Sequence, residues 1–227
     1  MKSILLLHGA LGSTSQLKTL KKLLSNQYNV HSFSFEGHGG IPSSHKFSID
    51  LFTQNIVDYL KSHQLDKVSI FGYSMGGYVA LNLAKNYPDL VDKIVTLGTK
   101  FNWSEESAAK EVKMLNPDKI EAKVPVFANY LEKLHEPNNW KEVLAKTADL
   151  MFGLSRGKKF NSEDFKSINH NVLLTVGDKD TMVTQEETLQ VSGWLPNSEF
   201  KLLKGVEHPI EKLDIEMMEK LIDGYFQ

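Results

Sequence analysis

The sequence predicts an α/β fold, a mostly parallel sheet of about six strands flanked by helices. Two observations carry the expectation. Short apolar runs rich in β-formers alternate with longer segments of helical period. Several of those runs are nearly continuous in apolar character, as strands covered on both faces must be. A third observation shapes the topology. From about residue 100 to 168 no strand pattern occurs, so a helical insertion is expected between the fourth and fifth strands.

Each element has its own signal. Ile4-Leu7 reads as the first strand, and Gln16-Ser25 follows as a helix with Leu17, Leu20, Leu23 and Leu24 at helical spacing. Val30-Phe35 is the second strand. Ile49-His63 then carries Phe52, Ile56, Tyr59 and Leu60 on one helical face. Val68-Tyr73 is the third strand, Met75-Asn86 its helix and Ile94-Leu97 the fourth strand. In the insertion, Ser104-Leu115, Pro117-His135 and Asn139-Leu154 read as helices, with Ser104 and Asn116 as start signals. Val172-Val176, a helix over Thr184-Ser192, the strand Phe200-Leu203 and a final helix over Glu211-Tyr225 complete the alternation. Parallel strands joined through helices require right-handed crossovers. The expected organisation is a core formed by residues 1–99 and 169–227 with a helical cap over 100–168.

Composition bounds the function. The 227 residues are 41% hydrophobic and 24% charged, the balance of a globular domain that buries its own core. Without cysteine there is neither a disulfide nor a thiolate metal site, and a cytoplasmic setting is expected. A net charge of −2 gives no general attraction to nucleic acid or anionic lipid. Arg156-Gly157-Lys158-Lys159, which holds the only arginine, reads as a solvated loop. The apolar run after Lys2 is too short for a signal peptide, and no stretch of about 18 apolar residues suggests a membrane span. Histidines and carboxylates do not fall at metal-ligand spacing, and Gly37-His38-Gly39-Gly40 lacks the lysine of a phosphate loop. No cofactor is expected. The expected partner is a small-molecule substrate, with the chain a monomer or a homodimer.

The chemistry concentrates in Gly72-Tyr73-Ser74-Met75-Gly76, which ends a strand and opens a helix. That setting places a serine on a strained turn, where a side chain two residues away on either side would collide with backbone. Leu7-His8-Gly9-Ala10-Leu11-Gly12 and Phe35-Glu36-Gly37-His38-Gly39 follow the first two strands. Together these motifs resemble the α/β-hydrolase family over nearly the whole chain. The first strand here corresponds to that family's third, so six strands are expected, with the second at an exposed edge.

The resemblance implies a serine hydrolase with its residues in the order Ser, acid, His. Ser74 is then the nucleophile. Asp180, in Gly177-Asp178-Lys179-Asp180, is preferred as the acid over Asp178. His208, in the loop after the last strand, is the base. Asp180 would orient His208, which would take the Ser74 proton and return it to the leaving group. The backbone N–H groups of Ala10 and Met75 would form the oxyanion hole. Of the other histidines, His8 and His38 are loop-shaping by resemblance, and His31, His45, His63, His135 and His170 have no catalytic placement. The aromatics of the insertion either pack within it or line a pocket. Leu11, Phe101, Trp103, Phe127 and Met151 are the expected substrate contacts.

The leading expectation is hydrolysis of a carboxylic ester or thioester of a small to medium apolar substrate through an acyl-enzyme. Two alternatives share the fold. One is a lyase, because His8-Gly9-Ala10-Leu11-Gly12-Ser13 and Gly72-Tyr73-Ser74-Met75-Gly76-Gly77 also resemble the menaquinone-pathway synthase branch. That branch carries arginine where Tyr78 stands. The other is carbon–carbon bond hydrolysis. A non-catalytic ligand-binding receptor is the alternative of another class.

Overall fold

A computed structural model describes all 227 residues, Met1–Gln227. Six parallel strands form one sheet in the order β2-β1-β3-β4-β5-β6. The elements run β1 (Ser3–Leu7), α1 (Lys18–Leu24), β2 (Asn29–Ser32), α2 (Ile49–Ser62), β3 (Val68–Tyr73), α3 (Met75–Asn86) and β4 (Val91–Leu97). Five helices follow before the next strand: α4 (Glu105–Val112), α5 (Pro117–Lys123), α6 (Pro125–His135), α7 (Trp140–Gly153) and α8 (Ser162–Lys166). Then come β5 (Asn171–Gly177), α9 (Gln185–Trp194), β6 (Ser198–Leu203) and α10 (Ile215–Phe226). No helix is long and apolar enough to cross a membrane.

Strand alternation divides the core into two layers. Ile4, Leu6, Phe71, Val95 and Leu173 face α1 and α10, where Leu20, Leu24, Met218, Ile222 and Phe226 are fully buried. Leu5, Leu7, Ile70, Ile94, Val172 and Leu174 face the other way, against α2, α3 and α9. Helix α3 is buried along most of its length. Helices on both faces explain why the central strands read as continuous apolar runs.

The departures from expectation have local causes. Strand β2 stops at Ser32 instead of Phe35, because the Phe35 N–H donates to His8 Nε2 rather than to a neighbouring strand. The expected helix over 117–135 is two helices. Pro125 forces Val124 out of the helical region, to φ −139°. The last helix starts at Ile215 rather than Glu211, where Asp214 caps it by accepting the Met217 N–H. The short α8 carries too few residues for a periodic signal.

Candidate active site

Strand β3 and helix α3 meet at Ser74, whose φ of 51° and ψ of −117° lie outside the regions open to ordinary L-residues. The turn is held from two sides. The Ser74 N–H donates to the Leu97 carbonyl at 2.8 Å, and Thr99 Oγ1 donates to the Ser74 carbonyl at 3.0 Å. The flanking glycines are required by space. A Cβ on Gly72 would lie 2.5 Å from the Gly77 backbone, and one on Gly76 would lie 2.6 Å from the Leu7 carbonyl oxygen.

The loops after β5 and β6 bring Asp180 and His208 together. His208 Nδ1–H donates to Asp180 Oδ2 at 2.7 Å, with side-chain exposures of 9% and 2%. The other carboxylate oxygen, Oδ1, accepts the backbone N–H groups of Met182 (2.8 Å) and Val183 (2.9 Å). Burial pushes the Asp180 carboxyl up. The His208 hydrogen bond and charge, with the two backbone donors, outweigh that and hold it below the usual carboxylate range. In the neutral imidazole the carboxylate favours the tautomer with the proton on Nδ1 and Nε2 free to accept. Tyr73 donates its hydroxyl to the His208 carbonyl at 3.0 Å and so clamps the histidine's main chain. Asp178 is not part of this group. Its Oδ1 accepts the Gly205 N–H at 2.6 Å and ties the two loops together.

Ser74 and His208 line one cavity of about 740 Å³. The Ser74 hydroxyl makes no hydrogen bond within the protein, and such contacts commonly tighten only around a substrate. Ala10 and Met75 line the same cavity. Met75 opens α3, so no residue of its own helix accepts its N–H. The Ala10 loop is shaped by Leu11, which has φ 57°, and by a Gly12 N–H to Gly9 carbonyl bond.

Of the residues expected to contact substrate, Leu11, Trp103, Phe127 and Met151 line the cavity. Phe101 does not. Its ring packs edge-on against Phe165, because its N–H is drawn to the buried Glu187 carboxylate and the side chain turns into the core. Arg156 is exposed beside the Phe152 ring, as the solvated-loop reading expects.

Three residues with no sequence signal join the site. His135 on α6 is fully buried; it accepts the Gly39 N–H at Nδ1 and donates from Nε2–H to the Leu11 carbonyl, both at 3.2 Å. Lys100 and Glu111 line the cavity as an ion pair. His8 and His38 stand behind the Ala10 loop, their ring centroids 5.3 Å apart, with His38 5.8 Å from His135. Burial lowers the pKa of all three histidines, His8 to about 4.

Comparison with known proteins agrees with the fold. One segment is 33% identical over 94 residues to the esterase YbfF of Escherichia coli, covering 41% of this chain and 37% of the esterase. The first curated relatives are matched over well under half of their own length, 37%, 26% and 28%. The mouse serine hydrolase BPHL aligns over 99% of this chain and 79% of its own, at 25% identity. Among solved structures, NosK from Streptomyces actuosus superposes with a TM-score of 0.82 at 19% identity, over 99% of this chain and 97% of that one. A meta-cleavage product hydrolase from Pseudomonas fluorescens gives 0.79 at 18% identity, covering 100% and 90%. Residues 2–134 match the family model described as the alpha/beta hydrolase fold, and the chain belongs to that family.

Proposed function

We propose that this chain is a serine hydrolase that cleaves a carboxylic ester or thioester of a small to medium apolar substrate through an acyl-enzyme. The observation that carries the proposal is the buried Asp180–His208 hydrogen bond opening onto the same apolar cavity as the strained Ser74. A receptor would have no use for a tautomer-fixed imidazole beside a strained serine.

In this reading His208 Nε2 accepts the Ser74 proton as the oxygen attacks the acyl carbon. The developing oxyanion is met by the Ala10 and Met75 N–H groups, each contributing roughly 2.7–4 kcal/mol to lowering the barrier. His208 then protonates the leaving group. Water, activated by the same histidine, releases the acid. Residues 100–168 act as the cap, and the cavity volume suits a ligand of drug-like size. The names of the relatives, an esterase and a serine hydrolase, point the same way. The Tyr78 hydroxyl is engaged by the Phe160 N–H at 2.7 Å, and no guanidinium lines the cavity. Both features favour an ester over a polycarboxylate lyase substrate.

The test is ester turnover and active-site labelling. Purified protein should cleave p-nitrophenyl esters and be labelled at Ser74 by a fluorophosphonate. Ser74→Ala should lower kcat by a factor on the order of 10⁶. Folded wild type that neither labels nor turns over any ester would overturn the proposal.

A further inference from the structure

The cavity above Ser74 is apolar except at a few points, and one of these is a buried ion pair. Lys100 follows β4 on the core, and Glu111 lies on α4 of the insertion. Their side chains are only 14% and 7% exposed, and Nζ lies 3.6 Å from Oε1. That separation is too long for a charge-assisted hydrogen bond, which closes to about 2.7–2.9 Å. Lys100 spends one N–H on the Met182 carbonyl at 2.8 Å and stands 5.7 Å from the centre of the Trp103 ring. The Glu111 carboxylate accepts no hydrogen bond from any protein group, and its one salt-bridge partner is Lys100, whose charge also acts on the buried Glu187 carboxylate.

Such an arrangement is costly as pure scaffolding. Two charges leave water, and although Lys100 has the Met182 carbonyl and the Trp103 ring, the Glu111 carboxylate gains no close contact that repays its desolvation. Both side chains nevertheless line the cavity. The pair therefore presents an unused N–H and unused carboxylate lone pairs to whatever fills the space. A group that accepts from the ammonium and donates to the carboxylate satisfies both. Its oxygen would sit about 2.8 Å from each atom, at the apex of a triangle whose base is the open 3.6 Å gap. The charges also exclude other ligands. An anion would meet Glu111 and a cation would meet Lys100, so the matched group is neutral.

We infer that Lys100 and Glu111 form a polar subsite that selects substrates bearing a neutral donor–acceptor group, a hydroxyl, on an otherwise apolar acyl chain. This rests on the esterase reading of Ser74 and specifies its substrate class as esters or thioesters of hydroxylated acids. The apolar walls take the chain, and the ion pair reads the position of the hydroxyl. A site built to hydrogen-bond a hydroxyl discriminates against the analogue lacking it, because its own polar groups are then left unpaired.

The experiment compares p-nitrophenyl esters of straight-chain acids with hydroxyacyl esters of equal length, the hydroxyl moved stepwise along the chain. Wild type should prefer one hydroxyl position over the unsubstituted ester by roughly tenfold or more in kcat/KM. Glu111→Gln keeps the size but exchanges the charged acceptor for a neutral, weaker one and should shrink that preference. The double variant K100M/E111L replaces the pair with an apolar one, which buried ion pairs tolerate, and should reverse it. A merely structural tie would lower activity on all esters alike. Cleavage of plain esters with no preference at any position, or a preference that survives in both variants, would overturn the inference and leave the esterase reading intact. Absence of all ester cleavage and of Ser74 labelling would overturn both.

Discussion

His135 Nε2 lies 3.2 Å from the carbonyl oxygen of Leu11, so a histidine of the inserted helices holds the loop that carries Ala10. Its other ring nitrogen accepts the Gly39 N–H at the same distance. His135→Leu would leave both backbone groups buried and unpaired, at roughly 1–3 kcal/mol each in stability. It would also loosen the Ala10 N–H. We expect kcat to fall roughly tenfold with little change in KM, less than the 10²–10³ that follows loss of a whole oxyanion donor. Denaturant unfolding alongside steady-state kinetics checks this. A variant that is less stable but keeps full kcat would show that His135 only braces the fold.

The same histidine belongs to a buried group that predicts acid sensitivity. His8 donates from Nδ1 to the Gly9 carbonyl and accepts the Phe35 N–H at Nε2, so it has no site for a second proton. His38 donates to the Glu36 carbonyl, and its Nε2 is buried without a partner. Desolvation is the main reason all three resist protonation; His135 also opposes a charge on His8, and His8 and His135 oppose one on His38. The folded pKa values are depressed, so the unfolded chain takes up protons that the folded one refuses. Stability is therefore complete above pH 6.5 and falls as pH drops toward 4. His8 alone, lowered from 6.5 to about 4, accounts for about 3 kcal/mol over that interval. Asp180 sits below the usual carboxylate range and stays ionised through most of it. Urea unfolding at pH 7, 6 and 5 should show declining free energy. His8→Asn should flatten that decline.

How much of this was legible in the sequence follows from how local each signal is. Ser74, Asp180 and His208 lie in loops at the carboxyl ends of β3, β5 and β6, so recognising the strands already places them at one end of the sheet. The spacing of Gly177-Asp178-Lys179-Asp180, which resembles the family's Gly-x-x-Asp loop, is what favours Asp180 over Asp178, whose bond to Gly205 is a long-range loop contact. Phe101 lies off the cavity because its direction is set by Glu187, 86 residues away in sequence. His135 and Glu111 could not be singled out. A histidine at a helix end and a glutamate among lysines look like solvated residues until α6 brings His135 to Leu11 and Gly39, and α4 brings Glu111 to Lys100.

Gly98 makes a steric prediction. It has φ +59°, and a Cβ there would lie 3.2 Å from both Asp180 Oδ2 and His208 Nδ1. Gly98→Ala should strain the turn by about 1–2 kcal/mol and push apart the pair whose bond is 2.7 Å. Gly157→Ala is the control. It too has positive φ, +100°, but a Cβ there would meet nothing within 4 Å. Both variants should lose stability, and only Gly98→Ala should lose kcat and label more slowly with a fluorophosphonate. Equal activity in the two would mean that the Asp180–His208 spacing does not limit the reaction.

Asp180→Asn probes the role of the carboxylate apart from its packing. The amide oxygen can still accept from Met182 and Val183, so the loop should keep its shape. The amide nitrogen, however, would face His208 Nδ1 as a donor. It would favour the tautomer with the proton on Nε2, which cannot accept from Ser74. An imidazolium formed during the reaction would also lose its counter-charge. We expect kcat to drop about 10⁴-fold with KM nearly unchanged, as in triads where geometry survives and the tautomer is wrong. Asp178→Asn is the matched comparison, because its Oδ1 bond to the Gly205 N–H survives amidation. A large loss in Asp178→Asn with none in Asp180→Asn would reassign the acid. Comparable losses in both would mean that these substitutions act by disturbing the joined loops rather than the histidine.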